Sequence, residues 1–206
     1  MSQPQPKNLV ILLHGVGSNG ADMAALGRAW ATSLPDTIFA APDAPFAFPH
    51  GAGFQWFSVA GVTEANRPQR IEAARADFDR VIGSIIETNG FAETLDRVAF
   101  VGFSQGSIMA LDAIATGRWT VAAVVAFSGR LASVPPLSPS LATRVLLIHG
   151  SADPVIPAGE TVKAAAGLQA FGMSVESHIL PGLGHTISAD GAQRGATFLS
   201  DAFSRK

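Results

Sequence analysis

A serine between two glycines is the first feature of this sequence whose residue types could do chemistry. Residues 102–106 read Gly-Phe-Ser-Gln-Gly, directly after an apolar run and before a helix-compatible stretch at 107–114. A strand, Gly-x-Ser-x-Gly and a helix in that order predict a nucleophile elbow, in which a strained serine projects its hydroxyl above a sheet. We expect any Cβ at Gly102 or Gly106 to collide with the neighbouring strand or helix. The pattern therefore predicts Ser104 as a nucleophile.

A carboxylate and an imidazole follow later apolar runs. A serine hydroxyl needs a base to accept its proton, and an aspartate orients the histidine that does so. Asp153 follows one apolar run, and His185 lies among glycines after the last one. An aspartate before a proline usually serves a turn or a helix cap, but the upstream serine and the downstream histidine favour a catalytic pairing. We expect His14 and His149, which directly precede glycines, to brace turns.

Acyl transfer through a serine also needs two hydrogen-bond donors for the developing oxyanion. One donor is the amide after the nucleophile, here Gln105, and the other comes from the glycine-rich loop after the first strand, where Val16 is the candidate. An ordinary strand-to-helix turn is the alternative interpretation of that loop.

Aromatic residues cluster in the longest irregular stretch, 42–67. They could form an apolar wall for an acyl chain, or they could pin the loop to the core, and both interpretations can hold at once. The cluster consists of Phe46, Phe48, Phe54, Trp56 and Phe57.

Composition excludes several classes of function. The net charge of −2 provides no basic field for nucleic acid or anionic membranes. The absence of cysteine excludes disulfides, a thiol nucleophile and thiolate metal sites. Residues 15–20 match G-x-G-x-x-G, but no acidic residue is well placed to bind a ribose, so dinucleotide binding is disfavoured. We expect no metal and no cofactor.

The length of 206 residues suits one domain, 1–206, with a sizeable core. The polar, proline-rich start lacks the apolar segment of a signal peptide, and no apolar run approaches the roughly 20 residues that cross a bilayer. We therefore expect a cytoplasmic protein without stable membrane insertion.

Short apolar runs alternate with longer helical patterns along the chain. Strands that are apolar throughout indicate a sheet covered on both faces, and their alternation with helices predicts an α/β fold with a parallel sheet. The carboxyl ends of such strands form the site, which is where the candidate residues fall. The sequence predicts strands at 8–13, 37–40, 98–102, 121–127, 145–149 and 174–180, and helices at 23–34, 68–89, 107–114, 158–172 and 189–203.

Six segments together resemble the phospholipase/carboxylesterase family, which includes bacterial carboxylesterases and acyl-protein thioesterases. The resemblance spans nearly the whole chain. It implies a compact α/β-hydrolase with a mostly parallel sheet, helices on both faces and no large cap domain. The segments are 13–17, 42–45, 56–57, 102–106, 149–155 and 184–185.

The resemblance also implies roles for individual residues. Ser104, Asp153 and His185 would form the triad, in the chain order expected of α/β-hydrolases. The amides named above would bind the oxyanion, and Trp56 and Phe57 would border the acyl site. We therefore expect a serine carboxylesterase that hydrolyses short- to medium-chain carboxylic esters through an acyl-enzyme.

Two alternatives stay open: an acyl-protein thioesterase or lysophospholipase, and a non-catalytic acyl-binding protein on a hydrolase fold. The expected partner is a small-molecule ester or thioester, and the expected state is a monomer or weak homodimer. The chain departs from the family where many members carry Leu-Gly-Asp, here 16–18, and where many carry Trp-Phe-Asp, here with Ser58. Both departures lie beside the substrate site, so they bear on specificity more than on the triad.

Overall fold

A computed structural model describes residues 6–204 of the protein. These residues contain eight β-strands. Six of them form one sheet, in which every pairing is parallel, and the other two form an antiparallel hairpin. The strands are β1 (Asn8–Leu13), β2 (Thr37–Ala40), β3 (Phe46–Ala47), β4 (Phe54–Gln55), β5 (Val98–Phe103), β6 (Ala123–Phe127), β7 (Arg144–Gly150) and β8 (Val175–Leu180).

The order across the large sheet is β2-β1-β5-β6-β7-β8, with β3 and β4 as the separate hairpin. A short 3₁₀ turn, Leu95–Arg97, leads into β5. The helices are α1 (Gly20–Trp30), α2 (Arg67–Thr88), α3 (Gln105–Ala115), α4 (Gly159–Ala170) and α5 (Ala189–Ser204).

Helices cover both faces of the sheet, as predicted. Helices α2, α3 and α4 pack in one hydrophobic cluster, and α1 and α5 pack in the other. Strand β1 shows why its sequence is apolar throughout: Leu9 and Ile11 point into the first cluster, whereas Val10 and Leu12 point into the second. Across the described residues no further helical layer covers the carboxyl edge of the sheet, so that part of the chain has no large cap.

The first helix differs from its predicted span of 23–34. The Asn19 side chain caps it by accepting a hydrogen bond from the Asp22 amide at 3.0 Å, so the helix begins at Gly20. It ends at Trp30, whose carbonyl accepts the Leu34 amide in a turn. Leu34 is nevertheless buried. Its apolar side chain continues the helical spacing in the sequence, and the predicted helix is therefore too long at this end.

Helix α3, which follows the predicted nucleophile, is buried along its whole length. It carries Asp112, whose carboxylate accepts two hydrogen bonds from Arg75 at 2.9 Å and one from Arg118 at 2.8 Å. Burial alone would raise the pKa of Asp112, but the hydrogen bonds from the two guanidinium groups outweigh it and hold that pKa below its ordinary value. The ionised carboxylate therefore ties α3 to α2 and to the turn after α3.

Replacing Asp112 should destabilise the protein in a pH-dependent way. We expect Asp112→Asn to lower the free energy of unfolding at pH 7 by about 2–3 kcal/mol, because both guanidinium groups lose their buried partner. The folded-state pKa lies below the unfolded one, so this contribution is fully present above the unfolded pKa of about 3.9 and is lost as pH falls through the folded pKa.

Urea denaturation at several pH values measures this difference. The gap between wild type and variant should stay constant from pH 7 to pH 5 and narrow below about pH 4. Asp77→Asn is the control, because Asp77 pairs with Arg80 on the exposed surface, and should cost less than about 1 kcal/mol. If the difference in free energy of unfolding between wild type and Asp112→Asn stays unchanged down to pH 3, the lowered pKa of Asp112 is contradicted.

Candidate active site

Ser104 occupies a tight turn between β5 and α3. Its φ of 52° lies in a region that residues with side chains rarely adopt, a strain of about 1–3 kcal/mol. Gly102 and Gly106 make the turn possible. A Cβ on Gly102 would collide with the backbone of Ser107, and one on Gly106 would collide with the carbonyl of Leu13. These are the helix and strand collisions expected from the sequence.

The structure brings Ser104, His185 and Asp153 into one hydrogen-bonded chain. His185 Nε2 lies 3.0 Å from Ser104 Oγ, and His185 Nδ1 lies 2.7 Å from Asp153 Oδ2. An ionised carboxylate only accepts hydrogen bonds, so Nδ1 carries the hydrogen and Nε2 presents a lone pair to the serine hydroxyl. This arrangement can remove the serine proton.

The Asp153 carboxylate is held in its ionised form. Its Oδ1 accepts the amides of Val155 and Ile156 at 2.8 and 2.9 Å. Burial alone would raise the pKa of Asp153, but the hydrogen bond from His185 and those from the two amides lower that pKa to about 2. Asp153 is therefore an anion at neutral pH and can stabilise an imidazolium.

Two further histidines hold the loops around these three hydrogen-bonded residues, as their positions before glycines predicted. His149 Nε2 donates to the Ile156 carbonyl at 2.8 Å and also lies 3.2 Å from Asp153 Oδ2. His14 Nδ1 donates to the Gly15 carbonyl at 2.7 Å, and its Nε2 accepts the Ala44 amide at 2.9 Å. Neither ring contacts Ser104 in the hydrogen-bond network.

Val16 and Gln105 both line the cavity that Ser104 also lines. Gln105 is the first residue of α3, where amides lack partners within the helix and the helix dipole is positive. Within residues 6–204, neither amide donates a hydrogen bond to another residue. The loop that holds Val16 is fixed by the Gly17 amide, which donates to the Phe54 carbonyl at 2.8 Å. Both amides are therefore free to bind an oxyanion.

This cavity has a volume of about 170 Å³ and mainly apolar walls, with two arginines among them. Most of the lining residues could not be identified from the sequence, because they come from separate segments with no shared pattern. Those residues are Val59, Val62, Arg67, Ile108, Arg130, Val155 and Ile156.

Trp56 and Phe57, the two aromatic residues expected to border the acyl site, face different surroundings. Phe57 lines the cavity, whereas Trp56 is not among the residues that line it. The Trp56 side chain is 1% exposed, packs edge-on against Phe78, and donates its Nε1–H to the His14 carbonyl at 3.0 Å. Trp56 pins the loop to the core, and Phe57 supplies the wall.

The Gln105 side chain joins the nucleophile turn to this loop. Its Oε1 accepts the Trp56 amide at 2.8 Å, and its Nε2 donates to the Phe57 carbonyl at 2.7 Å. The sequence predicts a role only for the backbone amide of Gln105. A glutamine after a serine carries no sequence signal for a contact with a loop almost 50 residues away.

Two other kinds of feature are absent from the part of the chain that the structure describes. No group of three or more histidine, aspartate or glutamate side chains in the described part of the chain is arranged to hold a metal ion. No helix in the same part is both long and apolar enough to cross a membrane.

Several known proteins are similar to this chain over most of its length. The model of the phospholipase/carboxylesterase family matches residues 1–202. Esterase YpfH of Escherichia coli strain K12 is 37% identical over 181 residues, which are 88% of this chain and 77% of that protein. Acyl-protein thioesterase 1 of Neurospora crassa is 28% identical over 213 residues, 93% of this chain and 85% of that one. The crystal structure of esterase PE8 superposes with a TM-score of 0.83 and 34% identity, over 96% of this chain and 94% of that one.

Removing the Gln105 side chain should loosen the aromatic loop. We expect Gln105→Ala to lower the free energy of unfolding by about 2–4 kcal/mol, because a buried amide and a buried carbonyl each lose their partner. Urea denaturation measures the loss, and limited proteolysis should cut the 46–57 segment sooner. Gln169→Ala is the matched control, since the Gln169 amide bonds a backbone carbonyl on the exposed surface. Equal losses in both variants would refute this role.

Proposed function

The chain belongs to the phospholipase/carboxylesterase family, and we propose that it is a carboxylesterase with Ser104, His185 and Asp153 as its catalytic triad. The observation that carries the proposal is the hydrogen-bonded chain from Asp153 through His185 to the strained Ser104 hydroxyl. Relatives that are named esterases support a hydrolase, and the geometry around Ser104 supports a serine hydrolase. Because both hydrophobic clusters share one sheet, we further propose that 1–206 is a single domain.

In the proposed mechanism, Ser104 Oγ attacks the ester carbonyl while His185 Nε2 accepts its proton. Asp153 keeps the imidazole in the required tautomer and stabilises the imidazolium. The amides of Val16 and Gln105 bind the oxyanion, and one such donor typically contributes a factor of about 10²–10³ in kcat. The protonated histidine then gives its proton to the leaving alcohol. Water repeats the sequence on the acyl-enzyme and releases the acid.

The cavity supports small esters as the substrates. Its volume of about 170 Å³ lies below the roughly 300–1,000 Å³ typical of sites for drug-sized ligands. The names of several relatives, acyl-protein thioesterase 1 among them, make thioester cleavage the second candidate. The same triad and oxyanion amides would serve it, since only the leaving atom changes.

Loss of the proposed nucleophile should abolish turnover without unfolding the protein. We expect Ser104→Ala to lower kcat for 4-nitrophenyl butanoate by about 10⁶, His185→Ala by nearly as much, and Asp153→Ala by about 10⁴. Circular dichroism should show an intact fold, and a fluorophosphonate probe should label wild type but not Ser104→Ala. Substantial turnover by purified Ser104→Ala would identify another nucleophile.

A series of acyl esters tests the substrate proposal. We expect kcat/KM to fall by about tenfold or more from butanoyl to hexadecanoyl 4-nitrophenyl esters, because the longer chain exceeds the cavity. The matched butanoyl and hexadecanoyl thioesters are the comparison. A clear preference for the hexadecanoyl thioester would replace the carboxylesterase proposal with the thioesterase one.

A further inference from the structure

Two arginines interrupt the apolar lining of the cavity beside Ser104. Arg67 is the first residue of α2, and Arg130 follows β6, so separate elements bring the two residues to the same small cavity. The Arg130 side chain is only 14% exposed. Neither side chain takes part in the proposed ester-cleavage steps, yet both line the cavity that receives the substrate.

The protein compensates the positive charge of this pair only in part, chiefly through Glu160. Arg130 Nη1 lies 3.5 Å from Glu160 Oε2, beyond the 2.7–2.9 Å or so of a charge-assisted hydrogen bond. Glu160 has a closer partner in Lys163, at 2.8 Å. Over the described residues, the Arg67 side chain forms no salt bridge within 4.0 Å. The nearby Glu64 is exposed and contributes only through the longer-range field.

The two guanidinium groups also repel one another. Burial lowers the pKa of Arg130, the positive charge of Arg67 lowers it further, and Glu160 and Glu64 oppose the shift. Arginine stays protonated in proteins at neutral pH. The cavity therefore holds two cations in a partly desolvated position, and a bound anion would relieve their repulsion.

We propose that Arg67 and Arg130 bind an anionic group of the substrate, a carboxylate or a phosphate, while Ser104 attacks the ester carbonyl. Guanidinium groups suit both anions, because their planar arrangement of N–H donors pairs with two oxygens at once. The inference rests on the carboxylesterase function proposed above and specifies its substrate class: small esters that carry a negative charge on the acyl chain or on the alcohol.

Matched pairs of anionic and neutral esters test this inference and distinguish the two anions. The carboxylate pair is mono-4-nitrophenyl adipate and its methyl ester, and the phosphate pair is 4-acetoxyphenyl phosphate and phenyl acetate. For wild type, we expect kcat/KM of the anionic member to exceed that of the neutral member by about tenfold in at least one pair. The preference should shrink as salt is added.

Variants of the two arginines then test whether these residues cause the preference for the anionic ester. Arg130→Gln and Arg67→Gln should each lower the anionic-to-neutral ratio by about tenfold, and Arg130→Lys should retain part of it. Arg80→Gln is the matched control, because Arg80 lies on the same helix, is exposed, and pairs with Asp77. Its ratio should equal that of wild type.

The inference fails if wild type shows a ratio near one in both pairs, or if the ratio survives in Arg67→Gln and Arg130→Gln. In either case, neutral-ester turnover that still depends on Ser104 would leave the carboxylesterase proposal standing. Turnover of all four esters by Ser104→Ala would instead contradict the proposed function itself.

Discussion

The tight turn at Ser104 is the constraint on which the rest of the site depends. A φ of 52° persists only where the surrounding structure over-determines it, and here fully buried elements do so. Helix α3 leaves no space for a Cβ at Gly102, and β1 leaves none at Gly106. The turn therefore holds the serine hydroxyl at the carboxyl edge of the sheet, where the loops after β7 and β8 carry Asp153 and His185 to hydrogen-bond distance.

Buried hydrogen bonds, more than regular structure, arrange the loops around this turn. Gln105 bonds the backbone of Trp56 and Phe57, and the His14 ring accepts the amide of Ala44. An unsatisfied buried polar group costs about 1–3 kcal/mol, so few loop positions satisfy all of these groups together. The arrangement that does so leaves the Val16 amide free and turns Phe57 toward the cavity. The buried hydrogen bonds that hold the loops in place therefore also position the Val16 amide and Phe57 at the site.

The fold and the triad candidates were predictable because both depend on strand ends. Uninterrupted apolar runs predict strands covered on both faces, and their carboxyl ends place the chemical residues at one edge. Other features have no such signal. The strands β3 and β4 have two residues each, too few to show an alternation. Trp56 and Phe57 are adjacent in a loop, where no period indicates which one faces the core. Arg67 and Arg130 meet only through the fold, since nothing in the sequence relates them.

Above all, we propose that Ser104 forms a covalent acyl-enzyme. Its most direct test is peptide mass mapping of enzyme that is quenched with acid during turnover of 4-nitrophenyl butanoate. We expect a butanoyl adduct on the peptide that contains Ser104, and release of that adduct as substrate is exhausted. An adduct on a different residue, or steady turnover with no adduct on Ser104 at any quench time, would contradict it.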